Sequence, residues 1–99
     1  MNTPIQITTT TSSEEDAKII ATKLTEQKLA ACVQIEGPIK SIYLWKGAIQ
    51  EDTEWRLKIK TLAIYFDKVE TSIKKSHSYE TPEIIATNLS FISNDYLNW

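Results

Sequence analysis

The sequence predicts an α+β sandwich in which two helices lie on one face of a four-stranded antiparallel sheet. Three observations predict it. Apolar and polar residues alternate with a period of two in several short segments of the 99-residue chain. Two segments with helical spacing fall between those strands, giving the order β-α-β-β-α-β. No linker, repeat or low-complexity stretch interrupts the order, so residues 1–99 are read as one domain.

The elements follow in order. Ile5 and Ile7 alternate with Gln6 and Thr8, which reads as the first strand. Ser12 with Glu15 forms a capping-box pattern, and Glu14, Glu15 and Asp16 suit the positive end of a helix. Ala17, Ile20, Ala21 and Leu24 recur at helical spacing, so a helix is expected over 13–27. Ala31, Val33 and Ile35 resume the alternation, Gly37-Pro38 interrupts it, and Ile39 to Trp45 continues as β-branched and aromatic sequence. This is one long, bent strand with a break or bulge at Gly37-Pro38, because proline cannot donate to a sheet ladder. Lys46-Gly47 is a turn signal. Thr53, Trp55, Leu57, Ile59 and Thr61 alternate with Glu54, Arg56, Lys58 and Lys60, giving a strand with one apolar and one charged face. Phe66, Val69 and Ile73 mark a second amphipathic helix over 65–75, with Lys74 and Lys75 at its negative end. Residues 84–89 form the fourth strand, and Ser93-Asn94 caps a short helix bearing Tyr96, Leu97 and Trp99. This is the ferredoxin-like arrangement, which hosts many functions and decides none.

The arms of the central hairpin exceed the mean strand of about 5–6 residues. A two-helix layer cannot cover them fully, so Tyr43, Trp45 and Trp55 are expected to be exposed in a monomer. Exposed aromatics beside strand edges point to self-association, unless the tail residues Tyr96 to Trp99 fold back over them.

Composition narrows the function. Hydrophobic content of 41% with 24% charged residues is that of a globular chain. A net charge of −2 argues against a nucleic-acid binder that relies on bulk charge. Arg56 is the lone arginine, which weakens a phosphate-clamp reading. One cysteine, Cys32, cannot form an internal disulfide, and its small neighbours read as core. The amino terminus lacks a basic region followed by an apolar run, and no apolar stretch approaches the ~20 residues that span a bilayer. A cytoplasmic protein without nucleic-acid or membrane partners is the expectation.

The densest polar run is His77-Ser78-Tyr79-Glu80-Thr81-Pro82-Glu83. His77 is the only histidine. Imidazole with the carboxylates Glu80 and Glu83 suits Cu(II) or a related divalent ion, although a loop histidine is more often simply hydrogen-bonded. A single histidine is too few for a closed four-ligand site unless several chains contribute. The stripe Glu54, Arg56, Lys58, Lys60 is a ligand platform or, more commonly, a solvated strand face. There is no glycine-rich phosphate loop, G-x-S-x-G, H-E-x-x-H or C-x-x-C, so no enzyme is expected and no organic cofactor is implied.

Several segments together resemble one family. Gln27 to Val33 resembles its KLAACVN entry into the second strand, Ser41 to Gly47 is similar to SIYWWEG, and Ile59-Lys60-Thr61 to IKT. His77 to Ala86 resembles HPYEVPEIIA, and Tyr96-Leu97-Asn98-Trp99 matches YLNW. The family is CutA, the divalent-cation tolerance proteins. The resemblance implies a ferredoxin-like subunit in a tight homotrimer whose long hairpins extend sheets across subunit boundaries. It further implies tolerance of copper and other divalent cations, and a likeness to trimeric nitrogen-regulatory proteins that bind nucleotides between subunits. The sequence departs from the pattern at three places. About Thr9 stands where some members carry a cysteine, Ser76-His77 where some carry a His-His pair, and Ser78 where the motif has proline. Of the three metal ligands so implied, His77 remains.

Three functions compete. The first is a trimeric protein responding to metal ions, with His77 as principal ligand and Glu80 or Glu83 assisting. The second is a small-molecule sensor whose inter-subunit cleft is lined by Trp45, Lys60, Tyr79, Glu80 and Glu83. The third is a structural assembly protein.

Overall fold

The computed structural model describes residues 3–99. Strand β1 (Pro4–Thr11) leads into helix α1 (Glu14–Glu26). Strands β2 (Cys32–Trp45) and β3 (Ala48–Leu62) form the long hairpin. A single 3-10 turn, Ala63–Tyr65, precedes helix α2 (Phe66–Ser76), followed by strand β4 (Ile85–Asn88) and helix α3 (Asn94–Asn98). The sheet order is β2-β3-β1-β4, with every neighbouring pair antiparallel. The expected α+β, ferredoxin-like architecture is the observed one.

Local chemistry sets the boundaries. The cap of α1 is Ser13 rather than Ser12: its hydroxyl accepts the Asp16 N–H at 3.1 Å. The cap therefore sits one residue later than the Ser12/Glu15 spacing suggests, because Ser13 is the residue with extended backbone. The helix ends with Lys28 at φ 59°, and Leu29 N–H reaches back to the Leu24 carbonyl. That is a Schellman closure with lysine where glycine is usual. Lys46 and Gly47 both take positive φ (51° and 77°), the two-residue type I′ turn that matches strand twist.

One core lies between the sheet and the helices. Ile5, Ile7, Leu57 and Ile59 from the sheet meet Ala17, Ile20 and Leu24 of α1 and Val69 and Ile73 of α2. The odd-numbered residues of β3 face this layer and the even-numbered ones face away. Along the outer face, Arg56 and Lys58 pair with Glu36, and Lys60 Nζ donates to Gln34 Oε1 at 2.7 Å.

The Gly37-Pro38 interruption is a bulge rather than a break. Glu36 pairs with Arg56 but Ile39 with Glu54, so three residues of β2 span two of β3. The extra residue reverses the phase of the outer half of β2. Val33 and Ile35 face the helices before the bulge; Ile42 and Leu44 do so after it. Trp55 is not exposed as expected: it is half-buried against the core. Gly37 passes so close that an added Cβ would lie 2.5 Å from the Trp55 ring. β3 also begins earlier than its alternation suggests, at Ala48, because the hairpin pairing continues to Trp45↔Ala48.

Beyond the ends of the helices, nothing among the described residues covers the core-facing side of the hairpin. Ile42, Leu44 and Ile49 are 66%, 70% and 77% exposed, and Trp45 on the other side is 60% exposed. The tail does not fold over them. It lies at the opposite end, where Tyr96, Leu97 and Trp99 line a cleft with Pro4, Leu29 and Tyr65.

Candidate functional site: a polar cluster beside the His77 loop

The loop after α2 is pinned to the sheet through His77. β4 pairs with β1 only as far as Thr8↔Ile85, leaving the next carbonyl on that edge, Thr10, without a strand partner. His77 Nε2–H donates to it at 2.6 Å, while His77 Nδ1 accepts the Tyr79 N–H at 3.0 Å. Those two bonds select the ring tautomer with its proton on Nε2. They also bring the His77 and Tyr79 rings together, tilted at 47° with centroids 4.9 Å apart.

The tether aims Tyr79 at the sheet's outer face. Its hydroxyl donates to Glu54 Oε2 at 2.8 Å, joined there by Thr10 Oγ1 at 3.3 Å. Ser41 Oγ donates to Glu54 Oε1 at 2.5 Å. Glu54, expected on a solvated stripe, is only 8% exposed. Burial of a carboxyl requires such donors. One step outward along the hairpin, the Tyr43 hydroxyl donates to Asp52. Both phenols are raised above the ordinary value. Desolvation leads for Tyr79, followed by its bond to Glu54. The bond to Asp52 leads for Tyr43.

These groups border a cleft of about 690 Å³ between the hairpin and the loop. Of the residues singled out in the sequence, Trp45, Tyr79 and Glu83 line it; Glu80 is exposed outside it. Lys60 sits at the other end of β3, bordering the tail cleft. His77 lies behind the wall, with both ring nitrogens engaged. Among the described residues, no three His, Cys, Asp or Glu side chains converge to hold a metal ion.

Sequence reasoning did not bring Thr10, Ser41, Tyr43, Asp52 and Glu54 together, although Glu54 stood on the candidate platform stripe and Tyr43 among the exposed aromatics. A signal for four of them was present. A two-residue turn at Lys46-Gly47 fixes the register, which puts Ser41 opposite Asp52 and Tyr43 opposite Gln50. Ser41, Tyr43, Asp52 and Glu54 therefore share one face.

Similarity to known proteins agrees with this architecture. The family described as CutA1 divalent ion tolerance protein matches residues 5–99. The divalent-cation tolerance protein CutA of Thermus thermophilus is 42% identical over 90 residues, covering 91% of this chain and 87% of the relative. A solved structure of that organism's Cut A1 superposes with a TM-score of 0.95 at 40% identity, covering 97% of this chain and 93% of the other. The periplasmic divalent cation tolerance protein CutA of Archaeoglobus fulgidus gives 0.94 at 41% identity, with 97% and 93% covered. CutA1 of Oryza sativa gives 0.96 at 36%, with 98% and 89% covered. These names describe a tolerance protein rather than an enzyme. Among the described residues, no helix is long and apolar enough to cross a membrane. By sequence and by fold, the chain belongs to the CutA1 divalent ion tolerance family.

Proposed function

We propose that the chain serves in tolerance of divalent cations as a cytoplasmic homotrimer that binds copper(II) or a related ion and acts without catalysis. The observation that carries the assembly is the bare core-side face of the hairpin, Ile42, Leu44 and Ile49. Large apolar patches at a strand tip are stable in water when another chain covers them. Family membership supports the link to divalent cations.

The described residues of one chain do not by themselves fit a metal ion, since His77 spends both ring nitrogens and no three donors converge among them. In this reading His77 would supply an imidazole nitrogen to the ion. Glu80, Glu83 or residues of neighbouring copies complete the set. Titration calorimetry of Cu(II) into chelator-treated protein, beside His77→Ala, tests it. Saturable binding lost in the variant supports the assignment; binding that is absent, or indifferent to the substitution, removes it.

A second reading rests on the 690 Å³ cleft. Its volume and its mixture of aromatic and polar walls are those of a small-molecule site. The chain would then sense an organic ligand.

A further inference from the structure

We propose that Glu54 braces the outer half of the hairpin against the His77 loop, so that the loop's hold on this arm sets how tightly copies of the chain associate. This rests on the reading above, that further copies cover Ile42, Leu44 and Ile49, and adds what keeps that surface in place for them.

The root of the arm is the weak point of its ladder. Pairing lapses between Glu36↔Arg56 and Ile39↔Glu54, where Pro38 has no N–H to give. On the core side of this root, Gly37 passes against the Trp55 ring. On the outer side stands Glu54, paired with the first β2 residue beyond the bulge.

The two oxygens of Glu54 face different parts of the molecule. Oε2 accepts hydroxyls from the body: Tyr79 at 2.8 Å and Thr10 at 3.3 Å. Oε1 accepts Ser41, farther out along β2, at 2.5 Å. One carboxyl group thus ties the arm to both the loop and β1. Among the described residues, side-chain hydrogen bonds from outside the hairpin reach residues 39–54 at Glu54 alone. Glu54 is 8% exposed, so water competes little for these bonds, and its three donors make it a satisfied joint.

Tyr79 is itself held. The His77 ring donates to the Thr10 carbonyl and accepts the Tyr79 N–H. A continuous chain of contacts therefore runs from the edge of β1 through His77, Tyr79 and Glu54 to Ser41. It lies on the outer side of the sheet, whereas Ile42, Leu44 and Ile49 are on the core side. The brace can fix the direction of the arm without contributing a side chain to the bare face. An arm free to swing would have to be ordered when copies meet, and that ordering weakens association.

The test reads arm mobility and association separately. Hydrogen exchange is followed in the Leu44→Lys background, where the arm is uncovered, with and without Tyr79→Phe. Sedimentation equilibrium then compares the unaltered chain with Tyr79→Phe, Ser41→Ala and the two combined. Expected is exchange about tenfold faster in residues 40–52 with Tyr79→Phe, while the Leu57 and Ile59 amides keep their protection. Tyr79→Phe should also weaken association about tenfold, with Ser41→Ala adding little to it because both act through Glu54. Glu54→Gln, which keeps an acceptor for the phenol, should weaken association less than Tyr79→Phe does. Unchanged exchange in the arm overturns the brace, even if association falls. Faster exchange with unchanged association overturns the link to assembly. A single-chain mass for the unaltered protein, or an undiminished mass for Leu44→Lys, removes the assembly reading and this inference with it.

Discussion

The two halves of the β2–β3 hairpin share one hydrogen-bonded ladder and differ in everything laid against it. In the inner half, Leu57 and Ile59 are sealed under α1 and α2 with no exposure at all. In the outer half, Ile42, Leu44 and Ile49 occupy the same side of the same strands and face solvent. The β2–β3 ladder thus runs through both halves, interrupted at the bulge, while apolar burial is satisfied only where helices exist. The Gly37-Pro38 bulge joins the two regimes. Without its extra residue, Ile42 and Leu44 would point to the side of Glu54, and Ser41 and Tyr43 to the core side. One residue therefore gathers the apolar groups on the side continuous with the core and the hydroxyls around Glu54 and Asp52.

The comparison can be broken first by truncating each half in turn. Leu57→Ala should cost about 2–5 kcal/mol in chemical denaturation, the range for a fully buried leucine. Leu44→Ala should leave the unfolding free energy of the isolated chain nearly unchanged and reduce association instead. Equal losses from the two would show that the outer half is packed within one chain.

The bulge comes next. Gly37→Ala drives a methyl group against the Trp55 ring, so the ring or the strand must shift. About 1–3 kcal/mol is expected, read from the denaturation midpoint. Trp55→Leu in the same background should recover part of that loss, because the obstructing ring is gone.

A smaller effect lies beneath the helices. Thr9 Oγ1 is buried and has no hydrogen-bond partner among the described residues. Thr9→Val keeps the shape and removes the orphaned hydroxyl, so a gain of about 1 kcal/mol is expected. A loss would mean that the hydroxyl has a partner in solution.

The smallest effect concerns the cleft wall. The Tyr79 phenol is raised above its ordinary value of 10.0 in the folded chain. The unfolded phenol ionises as pH climbs past that value while the folded one resists, so this stability is complete below pH 10 and falls above it. Tyr79→Phe should flatten the decline of melting temperature above pH 10. An unchanged slope would detach Tyr79 from the alkaline response.

Much of this fold is legible in the sequence because its strongest signals are local. The Lys46-Gly47 turn, the spacing of Ala17, Ile20 and Leu24, and the alternation through Leu57 and Ile59 each report a backbone state directly. Glycine before proline also located the bulge. Its consequence was less visible: a bulge's position does not say which residues it re-phases until the register on both sides is counted. Glu54 was hidden for a related reason. A charged residue in an alternating strand reads as solvated, and its burial depends on a loop that His77 ties down from more than twenty residues away in sequence. Lys60 and Trp45, read together as cleft residues, stand at opposite ends of the hairpin; only a second copy would bring them together.

The central claim is that the bare half of the hairpin is completed by further copies of the chain. Sedimentation equilibrium of the purified protein, beside Leu44→Lys, tests it most directly. The account predicts a mass of three chains of 11.3 kDa for the unaltered protein and a shift toward single chains in the variant. A wild-type protein that stays at the mass of one chain across the concentration range would contradict it.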